Sequence, residues 1–186
     1  MRTRKFKKSR TPRRVFLVIC EGETEETYVN ILKQHFRLPI TIKTKISGNV
    51  INKRLVSQYV QELGVSDRDE YQVFYVYDSD VALIVDKLLS LPEGTVILSN
   101  PCIELWFLLH QREHNRLRSP KEMVKDLTGC DNVWKNYLKG VLSREQQKVL
   151  LSNYELASVR SRKLKWHENP SSNMHQFIEA LMAEKI

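Results

Sequence analysis

The sequence predicts an α/β protein, in which helices flank a four-stranded parallel sheet and a helical extension follows at the C terminus. Short runs of β-branched and aromatic residues alternate with stretches of helical periodicity over the first 110 residues. Most of these runs lack a polar face, which is typical of parallel strands buried on both sides. Three of them lead directly into acidic clusters, and open α/β sheets bind ligands just beyond the carboxyl ends of their strands.

The predicted strands show two patterns. VFLVIC (15–20), QVFYVY (72–77) and TVILS (95–99) are continuously apolar, as buried parallel strands are. ITIKTKI (40–46) alternates with a period of two residues, which predicts a partly exposed strand.

Helices are predicted between the strands, and local signals indicate where they begin and end. Pro39 follows the first helix and Gly64 ends the second, whereas Asp80 and Asn100 are the expected N-caps of the third and fourth. The predicted helices span about 24–36, 51–63, 81–91 and 102–110.

Beyond residue 110 the pattern predicts helices alone. Ser119 and Ser143 each begin a capping box, and Asn169-Pro170 indicates a turn before a last helix. The helix after Ser143 is expected to continue to about residue 165. The predicted divisions are a basic disordered tail (1–14), an α/β core (15–110) and a helical extension packed on that core (111–186).

The formal net charge of +8 resides at the N terminus. Residues 1–14 hold eight of the 30 Lys and Arg and no acidic residue, so residues 15–186 are formally neutral. Such a tail suits a phosphate backbone, and Arg10, Arg13 and Arg14 are its candidate contacts with nucleic acid. A tail that only aids solubility is the alternative.

A second candidate surface for nucleic acid lies near the end of the long helix after Ser143. Arg160, Lys163 and His167 share one face if the helix continues, and Trp166 beside them offers a ring for base stacking. A solvated helix face explains the same residues.

Cysteine usage and hydropathy indicate a cytoplasmic protein without membrane contact. The three cysteines are odd in number and form no CxxC pair, which fits a reducing compartment. The apolar run before Glu21 has six residues, too few for a signal peptide or a membrane span.

Acidic residues at the strand ends predict a metal site. Glu21 follows the first strand, and Asp78 and Asp80 follow the third. Carboxylates that meet at one edge repel one another unless a cation lies between them, and Mg²⁺ prefers such oxygen ligands. Glu25 lies one helical turn from Glu21, and Glu104 lies in a strongly apolar helix where a carboxylate needs a partner or an ion. Helix capping and interaction with the helix dipole are the alternatives for Asp78, Asp80 and Glu25.

Four stretches in this order resemble the RloB family of bacterial defence proteins. They are ICEGETEETYV, VYDSD, SNPCIELWFLLH and NPSSNMHQFIEAL, and they span residues 19–181. The order of Glu-Gly and then DxD on a parallel sheet also resembles the Toprim domain of topoisomerases, primases and OLD nucleases.

The resemblance implies a Toprim-like fold and a nuclease that depends on Mg²⁺ or Mn²⁺. The Toprim glutamate falls on Glu21 and the DxD pair on Asp78 and Asp80, while Glu25 and Glu104 match further family positions. The family usually has a basic residue between the two aspartates, where this sequence has Ser79. The resemblance also implies an ABC-type or AAA-type ATPase partner encoded nearby.

Three functions therefore compete at the level of sequence. The first is a metal-dependent nuclease that hydrolyses phosphodiester bonds in DNA or RNA during anti-phage defence. The second is a catalytically weak nucleic-acid-binding subunit of a defence complex. The third is phosphotransfer or phosphatase chemistry on a small molecule, which the basic tail disfavours.

Overall fold

A computed structural model describes residues 12–91 and 93–185. The strands are β1 (Arg14–Cys20), β2 (Thr41–Ile46), β3 (Glu70–Asp78), β4 (Thr95–Asn100) and β5 (Ser171–Ser172). The helices are α1 (Glu23–Phe36), α2 (Lys53–Glu62), α3 (Ala82–Leu89), α4 (Ile103–Leu109), α5 (Pro120–Thr128), α6 (Arg144–Ser152), α7 (Tyr154–Arg162) and α8 (Met174–Ala183).

The sheet confirms the α/β class and has one more strand than predicted. Its order is β2-β1-β3-β4-β5, and the first four strands are parallel. β5 pairs antiparallel with β4, with Ser171 opposite Asn100 and Ser172 opposite Ser99. The side chain of Asn173 extends this edge, because its Oδ1 accepts from the Leu98 N–H at 2.7 Å and its Nδ2 donates to the Val96 carbonyl at 2.9 Å. The expectation of helices alone beyond residue 110 was therefore wrong.

Each central strand is buried on both faces, which explains its continuous apolar sequence. In β1, Phe16 and Val18 belong to the cluster that contains α1, α4 and α8, whereas Leu17 and Ile19 belong to the cluster beneath α2 and α3. The first cluster also includes Trp134 from the predicted extension. The extension thus shares a core with the sheet.

Two predicted boundaries differ from the structure. Arg14 is the first residue of β1 rather than part of a tail, and the Arg13 N–H donates to Asp69 Oδ1 at 2.8 Å. The helix expected from about 144 to 165 is two helices that meet at Asn153. In the described ranges, no helix has the length and apolar character that a membrane span requires.

Candidate metal centre

The parallel register brings Glu21 and Asp78 to the same edge of the sheet. β1 and β3 are neighbours, and each acid lies where its strand ends. Oε2 of Glu21 accepts a hydrogen bond from the Asp78 N–H at 2.9 Å. This bond fixes the Glu21 side chain across the top of the adjacent strand.

Helix α4 adds two further groups to Asp78. The Ile103 N–H, at the start of α4, donates to Asp78 Oδ1 at 2.8 Å, so this carboxylate is held against the helix. Asp78, Cys102 and Glu104 each offer a ligand atom, and these three atoms all lie within 4.8 Å of one another. Within residues 12–91 and 93–185, this is the acidic group whose spacing suits a metal ion.

Glu104 is fully buried and incompletely satisfied. Its Oε1 accepts from the Tyr137 hydroxyl at 2.9 Å and lies 3.5 Å from Lys139 Nζ. Its Oε2 is buried and, in the described part of the chain, has no hydrogen-bond partner. A buried carboxylate oxygen without a partner is costly, because it has lost its hydration without replacement. A bound cation would satisfy it.

Tyr137 and Lys139 come from a turn in the C-terminal extension, and sequence reasoning missed their place in the site. The turn packs on the start of α1, where the Gly140 N–H donates to Thr24 Oγ1 and the Thr27 hydroxyl donates to the Gly140 carbonyl, both at 2.9 Å. Gly140 has a φ of +79°, which disfavours residues with a Cβ. The only trace of this arrangement in the sequence is the Lys139-Gly140 pair between helices.

Burial and mutual repulsion shift the acids toward their neutral forms. Burial raises the pKa of Asp78 well above its ordinary value, and the charges of Glu25, Glu104 and Glu21 add to the shift. Burial raises the pKa of Glu25 to about 7, although hydrogen bonds from the backbone oppose the shift. Burial also raises the pKa of Glu21. The site holds more negative charge than its surroundings stabilise.

The Asp/Cys/Glu group can hold a metal, and its chemistry favours a hard cation. Burial and the nearby charges of Glu104 and Asp78 raise the pKa of the Cys102 thiol, so the sulfur is protonated and a poor ligand. The carboxylates of Asp78 and Glu104 supply the oxygen ligands that Mg²⁺ and Mn²⁺ prefer. The orphaned Oε2 of Glu104 is the observation that this fit rests on.

The site opens to solvent on the side of α1. A pocket of about 300 Å³ is lined by Glu21, Glu25, Asp78 and Lys139 together with the backbone around Gly22 and Gly140. A pocket of this size is at the lower end of the range of small-molecule sites.

Asp80 and Glu25 border the centre. Asp80 is exposed, and its charge contributes to the raised pKa of Glu21. It does not cap α3 as expected, because the N-cap of that helix is Val81. Glu25 is buried and caps α1, since its Oε2 accepts from the Gly22 N–H at 2.9 Å. The prediction that Glu21, Asp78 and Asp80 together bind the metal stays a prediction.

The residues predicted to bind nucleic acid are dispersed. Arg10 lies outside the described residues. Arg13 forms an ion pair with Asp69 at 3.1 Å, and Arg14 forms ion pairs with Glu70 at 3.1 Å and Glu184 at 2.6 Å. These partners hold β1 and compete with any phosphate contact.

The condition for a common face of Arg160, Lys163 and His167 is not met, because α7 ends at Arg162. Nη1 of Arg160 donates to the Leu109 carbonyl at the end of α4, and Lys163 forms an ion pair with Glu113. His167 is exposed in the following turn with a φ of +66°. A role for any of the three in binding nucleic acid stays a prediction.

The fold and the site together define a mixed α/β protein, compatible with a Toprim-like fold, with a candidate metal centre at the carboxyl edge of its sheet. A family model described as "RloB-like protein" matches residues 16–181, and the chain belongs to that family. No curated protein and no solved structure matches the chain.

Proposed function

We propose that this protein is a nuclease that hydrolyses phosphodiester bonds with the aid of Mg²⁺ or Mn²⁺. The observation that carries the proposal is the buried, unpartnered Oε2 of Glu104 close to Asp78 at the edge of an open pocket. Two carboxylates in this setting, on a parallel sheet of an RloB-like protein, suit a divalent cation and a phosphate ligand. The anti-phage setting and the ATPase partner implied by the resemblance belong to the same proposal.

Each residue of the site has a role in this proposal. Asp78 and Glu104 bind the metal, and Glu21 holds the loop after β3 in place through the Asp78 N–H. Tyr137 fixes the orientation of Glu104 through its hydroxyl. Lys139 lines the open pocket, where substrate enters, and Asp80 is exposed in the loop after β3. A bound divalent ion supplies Lewis acidity and lowers the pKa of a water molecule.

An arginine-lined pocket favours a polymeric substrate over a small molecule. It has a volume of about 260 Å³ and is lined by Arg112, Arg116 and Arg118 in the loop after α4. Arg118 is paired with Asp126 at 2.7 Å. Arg112 and Arg116 are exposed and form no ion pair with any other described residue, so they are available to phosphates.

The arginine loop is connected to the carboxyl edge of the sheet through two turns. The Asn169 side chain accepts from the Arg118 N–H at 3.2 Å and donates to the Arg118 carbonyl at 2.7 Å. The Asn100 side chain, at the end of β4, donates to the His167 carbonyl at 3.5 Å. In this proposal, a nucleic acid strand bound at the metal centre follows these turns past Trp166 and His167 toward the arginines.

Cleavage assays with a matched pair of variants test the proposal. Plasmid, single-stranded DNA and transfer RNA are incubated with the wild type in Mg²⁺, in Mn²⁺ and in EDTA. We expect cleavage of at least one polymer with either metal and none in EDTA. Asp78→Asn should abolish it, whereas Asp86→Asn, an equal loss of charge on the exposed face of α3, should not. Cleavage by Asp78→Asn at the wild-type rate would refute the proposal.

A further inference from the structure

Lys139 is the cation that the C-terminal extension brings to the carboxylates of the metal centre. Its Nζ lies 3.5 Å from Glu104 Oε1, and among the described residues it is the basic group that forms an ion pair within the centre. Its charge also acts on Glu21, where it opposes the effects of burial. One lysine thus lies in the field of several acids that would otherwise repel one another.

Hydrogen bonds hold the backbone that carries Lys139, whereas more than half of its side chain is exposed. The Gly140 N–H donates to Thr24 Oγ1 and the Gly140 carbonyl accepts from the Thr27 hydroxyl, and these two bonds hold the turn on α1. The turn fits closely there, because a Cβ on Gly140 would lie 3.0 Å from Glu23 Oε2. The Lys139 side chain itself is 58% exposed, and its ion pair with Glu104 has solvent on one side.

We propose that Lys139 is a built-in counter-ion that competes with the divalent metal for Glu104. Without metal, the ammonium group neutralises part of the carboxylate charge and stabilises the fold. When metal binds, two cations face the same carboxylates, so the lysine turns away from Glu104 toward the open pocket. There it is placed to contact a phosphate oxygen of the substrate.

This inference rests on the proposed function, and it makes a distinct claim about metal affinity. A residue that only stabilises the turn should affect folding and leave the affinity for metal unchanged. A competing cation should weaken metal binding, because like charges repel at short range. Its removal should therefore raise the affinity for Mg²⁺ even as it lowers the rate of cleavage.

The test compares Lys139→Met with Lys135→Met, which removes the same charge from an exposed position in the same segment. Mg²⁺ binding to each full-length protein is measured by calorimetric titration, and Mn²⁺ is titrated as a check. We expect Lys139→Met to bind Mg²⁺ roughly three- to fivefold more tightly than the wild type, the size expected for one half-exposed charge. Lys135→Met should bind like the wild type.

A second variant separates charge from shape. Lys139→Arg keeps the positive charge, so its affinity for Mg²⁺ should stay within roughly twofold of the wild type.

Cleavage by Lys139→Met should fall by about a hundredfold, as when one group that stabilises transition-state charge is lost.

The outcomes separate this inference from the proposed function. If the wild type binds metal and cleaves nucleic acid while Lys139→Met binds metal no more tightly, the competition is refuted and the nuclease proposal stands. Tighter binding by Lys139→Arg as well would also refute it, because charge would not be the cause. A wild type that binds no divalent metal would overturn both proposals.

Discussion

At the scale of single residues, the centre is a set of acids that the fold brings together at a cost. Burial raises the pKa of Asp78 and of Glu25, and the charges of Glu21 and Glu104 add to both shifts. Glu104 has one satisfied and one orphaned oxygen. Such sites are typical of function rather than stability, because a core optimised for stability would replace these acids with apolar residues.

Glu25 predicts a specific dependence of stability on pH. Its pKa is about 7 in the folded protein against an ordinary value of 4.5, so the folded state holds the proton more tightly. The contribution of Glu25 to the free energy of unfolding is therefore largest below pH 4.5. It falls as the pH rises through 7. Between these two pH limits the contribution of Glu25 to the free energy of unfolding changes by an amount of the order of 3 kcal/mol.

Glu25→Gln tests this dependence, because glutamine keeps the acceptor that caps Gly22 and cannot ionise. Urea unfolding in EDTA at pH values from 5 to 8 should show the variant gaining stability over the wild type as the pH rises. Glu26→Gln, which changes a half-buried glutamate on the same helix, is the control. A constant difference between Glu25→Gln and the wild type would contradict the account.

At the scale of elements, the sequence predicted whatever depended on local pattern. The apolar runs located β1 to β4 to within about two residues at most ends, and the capping boxes at Ser119 and Ser143 are present. The positions of the strand ends also predicted that Glu21 and Asp78 lie at one edge of the sheet, and a hydrogen bond joins the two residues there.

Features that depend on distant partners were missed. β5 consists of two serines, so it has no apolar pattern to reveal it. The adjoining Asn173 extends the contact with β4 through its side chain, which sequence periodicity does not show. Arg14 was assigned to a tail because its partner Glu184 is 170 positions away. Lys139 reaches the site through a turn that has no periodicity.

The turn at Gly140 can be tested by adding a single methyl group. Gly140→Ala should lower the free energy of unfolding by about 1 to 3 kcal/mol, because φ is positive and the new Cβ meets Glu23. Gly64→Ala is the matched control, with a φ of +57° and no atom within 4 Å of the added Cβ. Urea unfolding measures both.

Only Gly140→Ala should also impair cleavage, since it displaces Lys139 and Tyr137 from Glu104. Equal cleavage by the two variants at a temperature where both are folded would show that the turn does not contribute to the site.

At the scale of the whole molecule, the described residues form a mainly acidic centre and a basic loop on connected elements. The carboxylates lie at the edge of the sheet, and Arg112 and Arg116 lie beyond the far end of α4. Metal at the edge would make the potential there less negative, and a polyanion could then cross from one region to the other.

Salt dependence tests the role of the arginine loop. The double variant Arg112→Gln/Arg116→Gln should bind DNA with a slope of log affinity against log salt that is roughly one to two units smaller. Arg144→Gln/Lys148→Gln removes two exposed charges from α6 and should leave the slope closer to that of the wild type. Fluorescence anisotropy at several salt concentrations measures both, and equal slopes for the two double variants would exclude a specific role for the loop.

The most direct test of the central claim, that Asp78 and Glu104 form a divalent metal centre, is the melting temperature of the wild type and Glu104→Gln with Mg²⁺ and with EDTA. At about a hundredfold excess over its dissociation constant, Mg²⁺ should add about 2.7 kcal/mol to the free energy of unfolding of the wild type. That gain corresponds to a rise of roughly 5 to 10 °C for a chain of this length. Glu104→Gln keeps the acceptor for Tyr137 and loses the charge, so it should melt at or above the wild type in EDTA and respond little to Mg²⁺. A wild type indifferent to metal, together with a variant that melts markedly lower, would contradict the metal centre and assign Glu104 to the core.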